Sequence, residues 1–386
     1  MADFQKKFLL ISPDFPPPNI GGSKVWLLNL VENSGLKFDI LTCKKNEIYD
    51  EILIGQHDII RSRYIYNSSD PSKFQLILTY LYIFLFSFFC IKNKYAGVLV
   101  NPGIIGNGLV ILVAKILSFK VIVAGHGEEI TVPLYSKNFK NFLKKKFMIF
   151  TYKKADGFFV VCDFCKRLLI SIGVEADKIE VIPSCINPDK IKQKRLEKIK
   201  SYNLISVGRL IERKGFHFLI QSVVKLKKEI SNIKLNIVGN GPYFKICKNL
   251  IDKFEAHNYI KLHGEITDEE LSNLYSKSDL FILAHTMLKN GDTEGCSTVF
   301  SEAMANNLPV IGGTGAGADT AIIDNYNGYI VNSKDIDSIS DAIKKVLNND
   351  EIYYKMVDNC KTKLSKDHNP KINGNIFGKF VKKITS

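Results

Sequence analysis

Two carboxylates, Glu294 and Glu302, are separated by seven residues that begin Gly295-Cys296-Ser297-Thr298. The pattern predicts a loop at Glu294 and a helix that begins between the two and carries Glu302. A helix N-terminus leaves backbone N–H groups unpaired and favours negative charge. A phosphate can therefore sit on Gly295, Cys296, Ser297 and Thr298 while the two Glu accept hydrogen bonds from sugar hydroxyls on either side. That geometry fits a nucleotide-sugar, with the diphosphate in the middle and a sugar at each end. An ordinary helix with an acidic first turn would carry the same residues.

Four further motifs follow apolar runs that read as strands. In residues 207–215, Gly208-Arg209 and Lys214-Gly215 offer a planar fork and a point charge that can converge on a diphosphate. Gly125-His126-Gly127 puts an imidazole between two glycines at a strand end, an exposed placement suited to proton chemistry; a plain surface-loop histidine is the alternative. Gly21-Gly22 precedes a helix, where glycine lets backbone approach a phosphate or sugar, or simply makes a turn. Gly239-Asn240-Gly241-Pro242 lacks the third glycine of a dinucleotide fingerprint and reads as a tight strand-to-helix turn. Asp335-Ile336-Asp337 resembles a metal-binding DxD but stands where a helix cap is expected. Cys162 and Cys165 form a CxxC with no second pair, so we read it as a chance pair.

Positioning these residues takes a particular set of elements. Strand-like runs occur at 8–12, 38–42, 98–101, 121–124, 157–161 and 180–182, then at 204–207, 234–238, 260–263, 280–284, 309–311 and 328–331, with helical patterns between them. Such alternation predicts parallel sheets with helices on both faces. The Lys-rich stretch 187–202 separates two series, so the chain is α/β, with two doubly wound Rossmann-like domains at 1–186 and 187–365. In open sheets of this kind ligands bind beyond the carboxyl ends of the strands, where the motifs lie.

Composition narrows the partners. The 386 residues carry 53 Lys+Arg against 39 Asp+Glu, a formal charge of +14, with 46 % hydrophobic residues. This excludes a disordered chain and a disulfide mini-protein, and predicts attraction to something anionic. The residues after Met1 lack the charge pattern and apolar length of a secretory signal, so a cytoplasmic location is expected. Residues 74–91 hold no charged residue, and as a helix they would span about 27 Å against a hydrocarbon core of roughly 30 Å. A strand-like run follows at once, which favours a core or interfacial helix, buried around its circumference, over a span. Residues 136–154 carry seven Lys and no acid, interleaved with Phe, Met, Ile and Tyr. This basic amphipathic stretch suits an anionic membrane surface, although a solvated helix face would look similar. No nucleic-acid-reading motif is present, so nucleic acid is not expected as a partner.

Taken in order, the Gly21-Gly22 loop, the Gly-His-Gly segment, the Gly-Arg…Lys-Gly turn, the Gly-Asn-Gly-Pro turn and the Glu-x7-Glu helix followed by Pro309-Val310-Ile311 resemble the retaining glycosyltransferases of family 4 over residues 8–345. The segments around His126 and Glu294 are most similar to phosphatidylinositol mannosyltransferases and related bacterial surface-polysaccharide enzymes. The resemblance implies a GT-B fold, two Rossmann-like domains facing each other across a cleft, with residues 366–386 crossing back to the first domain. It implies a nucleotide diphosphate sugar as donor, UDP-linked or, second, GDP-mannose, no metal or other cofactor, and a lipid-linked glycan or surface polysaccharide as acceptor. Glu294 would then meet donor-sugar hydroxyls, Glu302 the ribose, Arg209 and Lys214 the diphosphate, Gly22 the donor phosphate or acceptor, and His126 the sugar near its reacting carbon. Where the family usually has a second Gly after Glu-Gly, this chain has Ser297. A sugar-nucleotide epimerase and a non-catalytic subunit of the same fold are the competing expectations.

Overall fold

The computed structural model describes residues 7–16, 22–43, 57–66, 72–101, 103–186, 202–315 and 317–386. Gly21 and nearly all of the 187–202 linker lie outside these residues. The chain divides into two units, residues 1–184 with 370–386, and residues 185–369.

In the first unit seven strands form one sheet: β1 (Lys7–Ile11), β2 (Phe38–Cys43), β3 (Asp58–Ser62), β4 (Tyr95–Val100), β5 (Val121–Gly125), β6 (Gly157–Val160) and β7 (Ile179–Val181). Their order is β3-β2-β1-β4-β5-β6-β7, with every pairing parallel. The central strands are short apolar runs because both faces are covered. The sequence pattern misses β3, an edge strand paired only with β2, whose Asp-Ile-Ile-Arg-Ser has polar ends and little buried surface. The helices are α1 (Gly22–Asn33), α2 (Lys73–Lys94), α3 (Gly103–Ile116), α4 (Glu128–Tyr135), α5 (Phe139–Tyr152) and α6 (Asp163–Ser171).

The second unit holds a six-stranded parallel sheet of β8 (Asn203–Val207), β9 (Lys234–Val238), β10 (Ile260–Gly264), β11 (Leu280–Leu283), β12 (Val310–Gly313) and β13 (Gly328–Val331), ordered β10-β9-β8-β11-β12-β13. Its helices are α7 (Phe216–Leu226), α8 (Phe244–Lys253), α9 (Asp268–Ser276), α10 (Thr298–Ala305), α11 (Ala318–Ala321), α12 (Ile336–Leu347) and α13 (Asp350–Asp367). Asp335 caps α12, its side chain accepting from the Asp337 N–H at 2.9 Å.

The last helix, α14 (Pro370–Thr385), belongs to the first unit. Phe158 meets Tyr152 of α5, whereas its neighbour Phe159 meets Phe377 of α14. Successive strand residues point to opposite faces, so α5 and α14 cover opposite sides of the sheet. Gly374 and Gly378 let α14 lie against the end of α1: a Cβ would come within 2.3 Å of Asn33 and 2.2 Å of the Ser34 carbonyl oxygen, respectively. Phe377, fully buried, packs between Phe38 and Phe159, and Asn373 donates to the Pro183 carbonyl at 2.9 Å.

Helix α2 is capped by a Ser72–Gln75 box. Burial around its whole circumference is not found. Its inward positions include Thr79, Ile83 and Ser87, while Phe74, Ile77, Leu81, Leu85 and Phe88 are exposed. The apolar stripe faces out because α3 and the sheet meet only one side of the helix. Among the described residues no helix is long and apolar enough to cross a membrane.

The Phe377 packing gives a direct test. Phe377→Ala should destabilise the first unit by about 3–5 kcal/mol, as large-to-small core changes do. Urea unfolding followed by Trp26, the sole tryptophan, reports that unit alone. An unchanged midpoint would remove α14 from its core.

Candidate active site

In the second unit the loop after β8 and the loop before α10 meet through charge. Lys214 is buried, and its Nζ lies 2.8 Å from Glu294 Oε2 and donates to Ser297 Oγ at 3.0 Å. Arg213 reaches the same carboxylate at 3.5 Å through Nε and Asp292 at 2.9 Å through Nη1. Gly215, at φ 70°, ends the short turn that carries both cations; a Cβ there would fall 1.7 Å from the Ala284 carbonyl oxygen. Ser297 is the N-cap of α10, yet its side chain caps nothing and instead accepts from Lys214. The first N–H groups of α10 thus have no side-chain cap, and a cation lies beside them.

Burial pushes the Glu294 carboxyl upward, but Lys214 and Arg213 overcome it and hold the group below its ordinary value. Glu302 lies on α10 and is pushed upward by burial, although the Tyr275 and Thr298 hydroxyls counter part of this. Tyr275 donates to Glu302 Oε2 at 3.3 Å. Environment therefore separates the two carboxyls, as two roles in one site require.

Arg209 is exposed and makes no contact with this cluster. It lines a cavity of about 690 Å³ with Gly239, Asn240, Gly241 and Glu265. The tight turn supplies the wall: Gly239 has φ 126°, and a Cβ would meet the Gly208 carbonyl oxygen at 2.1 Å. Gly295 is half-buried, Cys296 and Ser297 are buried, and Thr298 opens the helix.

His126 and Gly22 belong to the first unit, where Gly22 is the exposed first residue of α1. His126 is half-buried rather than exposed, because the Trp26 ring packs edge-on at 5.0 Å and Asn101 closes one side. Its Nε2 donates to Asn101 Oδ1 at 3.2 Å, and burial drives the imidazole down to about 4 from 6.5, so it is neutral at pH 7. Its backbone N–H donates to the Glu129 carboxylate.

Sequence reasoning overlooked Arg213, Asp292, Tyr275, Asn101 and His285. Arg213 adjoins Lys214, and Asn101 and His285 each follow a strand, which is the one signal that could have found them. His285 is fully buried with its Nε2 unpartnered, and burial holds its imidazole near 4. Cys162 and Cys165 are buried thiols with sulfurs 3.2 Å apart. No group of three metal-ligating side chains occurs among the described residues.

A histidine held neutral stabilises the fold fully above its ordinary 6.5, and this contribution is lost as pH falls toward 4. At pH 5 the loss from His285 should be about 2 kcal/mol. Urea unfolding at pH 7.5 and pH 5 should show a decline to which His126, also held near 4, adds, and His285→Gln should lessen it by the His285 share. An identical decline in the variant would exclude His285 as its source.

Residues 30–190 match the Glycosyltransferase Family 4 family and residues 187–363 match Glycosyl transferases group 1. A GDP-mannose-dependent alpha-(1-6)-phosphatidylinositol monomannoside mannosyltransferase of Mycobacterium tuberculosis is 28 % identical over 48 % of this chain and 51 % of its own length. An amylovoran biosynthesis glycosyltransferase of Erwinia amylovora is 25 % identical over 65 % of this chain and 59 % of its own. The chain thus spans about half the length of the mannosyltransferase it matches. The crystal structure of Anabaena HepE in complex with UDP matches with a TM-score of 0.74 at 14 % identity, covering 98 % of this chain and all of that one. The two parallel-sheet units are the Rossmann-like domains of the GT-B fold, and the chain belongs to the glycosyltransferases of family 4 and group 1.

Proposed function

We propose that the protein is a retaining, metal-independent glycosyltransferase. It moves a hexose or N-acetylhexosamine from a nucleotide diphosphate sugar, UDP-linked in preference to GDP-mannose, to a lipid-linked or surface-polysaccharide acceptor. The observation that carries this is the Lys214–Glu294–Ser297 cluster at the start of α10, where a cation and uncapped N–H groups adjoin an ionised carboxylate. The family match and the UDP bound by HepE support the donor class.

In the proposed step the bond between the sugar's anomeric carbon and the β-phosphate oxygen breaks. The acceptor oxygen bonds to that carbon from the same face, and its proton passes to the departing phosphate. Lys214, Arg209 and the α10 N–H groups stabilise the charge that develops there. Glu294 orients the sugar through its hydroxyls, Glu302 the ribose, and neutral His126 contacts the sugar near the reacting carbon.

The acceptor side rests on the first unit. Helix α5 exposes Phe139, Phe142, Leu143 and Phe150 among its lysines, and α2 exposes its own apolar stripe. Both suit peripheral docking on the anionic cytoplasmic face of a membrane.

UDP at a hundred times its dissociation constant should stabilise the protein by about 2.7 kcal/mol, read as a thermal shift larger than that from GDP. Glu294→Ala and Arg209→Ala should each lower transfer at least about 100-fold with circular dichroism unchanged, and a chelator should leave the wild-type rate intact. Full activity in both variants would end this assignment.

Flotation with phosphatidylcholine vesicles, with and without phosphatidylglycerol, checks the membrane. Binding should need the anionic lipid and fall on Lys145→Ala with Lys146→Ala, or on Leu81→Ser with Leu85→Ser. Equal flotation of all forms would refute docking through these helices.

A further inference from the structure

The first unit holds a pocket that adjoins the Gly-His-Gly segment through Glu129. It has a volume of about 260 Å³ and opens among α2, α3, α4 and α5. Tyr80, Glu129, Asn141 and Lys144 supply its polar groups, and Ile105 and Pro133 part of its apolar wall. All of these residues except Pro133 lie in the first halves or leading turns of helices that follow the carboxyl ends of β3, β4 and β5. The pocket therefore sits at the edge of the sheet where ligands bind in such folds.

Glu129 accepts from the His126 N–H, whereas the other three polar groups are unpartnered among the described residues. Asn141 is 9 % exposed, and only its backbone N–H is engaged, donating to the Asn138 cap at 2.8 Å. Neither its carboxamide, nor the Tyr80 hydroxyl, nor the Lys144 ammonium has a hydrogen-bond or ion-pair partner among the described residues. A buried polar group ordinarily has a partner, so the unpaired carboxamide of buried Asn141, beside the half-buried Tyr80 and Lys144, marks a place where a ligand supplies one. Desolvation, with Lys140 nearby, holds the Lys144 ammonium below its ordinary value, and burial pushes the Glu129 carboxyl up. A phosphate would restore the first, and a ligand hydroxyl could pair with the second.

The surroundings are apolar. Phe142 and Leu143, between Asn141 and Lys144 on α5, are exposed, as are Ile77 and Leu81 beside Tyr80 on α2. A cationic, hydroxyl-binding pocket amid exposed Phe, Leu and Ile suits a ligand with a phosphate, a sugar-like head and a hydrocarbon tail.

We propose that this pocket binds the phosphorylated head group of a lipid-linked acceptor, with Lys144 on the phosphate, Asn141 and Glu129 on head-group hydroxyls, and the tail along the exposed residues of α2 and α5. The proposal rests on the lipid-acceptor reading above. It also ties the pocket to His126, whose N–H donates to Glu129 and whose ring contacts Trp26.

The test is calorimetric titration of the full chain with decyl phosphate, inorganic phosphate and decyl maltoside, with Trp26 emission as the reporter of location. Decyl phosphate should bind saturably, at least tenfold more tightly than either other probe, and change the emission. Lys144→Met and Asn141→Leu should weaken it at least tenfold, and Lys144→Arg should bind within threefold of wild type. Wild-type affinity in Lys144→Met would overturn the proposal. So would inorganic phosphate binding as tightly as decyl phosphate, which marks a free-anion site, or decyl maltoside doing so, which marks apolar adsorption. The absence of binding heat would overturn it too. UDP-induced thermal shifts in the same variants separate the two readings. UDP stabilisation with no decyl phosphate site leaves the transferase assignment standing and removes the pocket. Decyl phosphate binding without any UDP shift does the reverse.

Discussion

A lysine taken out of water needs an anion close by, and Lys214 has one in Glu294 at 2.8 Å. This pairing ties the loop after β8 to the loop before α10, elements 83 residues apart as measured from Lys214 to Ser297. Breaking such a pair on one side leaves an uncompensated charge, which costs more than the pair itself contributes. The start of α10 is thus fixed beside a cation before any ligand arrives. Preorganised charge of this kind needs no rearrangement when negative charge develops next to it.

The same pair explains why the two glutamates differ. Glu294 has two cations within reach, so its ionised form is favoured despite burial. Glu302 is hydrogen-bonded by hydroxyls, with Lys214 its last and least influence, and burial prevails. The difference arises from contacts across more than 80 residues and not from the local run of sequence.

Much of the fold was readable because buried parallel strands are short apolar runs with glycine-rich ends. Twelve of the thirteen strands lie at such runs, while β3 escaped because an edge strand needs less buried surface. The Glu-x7-Glu spacing foretold a loop followed by a helix, since a helix start leaves a local mark. Side-chain partnership leaves none. That Arg213 rather than Arg209 meets Glu294 follows from how the turn before Gly215 packs on Ala284, and both arginines look alike in sequence. The apolar run of α2 was equally visible, but which side of it would face outward depended on where α3 came to rest. Asn141 and Lys144 were legible only as part of a basic helix, because a pocket formed by four helices has no sequence signature.

Helix α14 has a consequence for how the chain is made. The second unit is continuous in sequence, but the first is closed by residues 370–386, which are made only after the whole of the second. Until residues 370–386 have been made, Phe38 and Phe159 lack their Phe377 cover, so the amino-terminal sheet waits with an open hydrophobic face. Domains usually mature in the order they emerge. Here the later half can finish first, and the earlier half waits for a helix encoded beyond it.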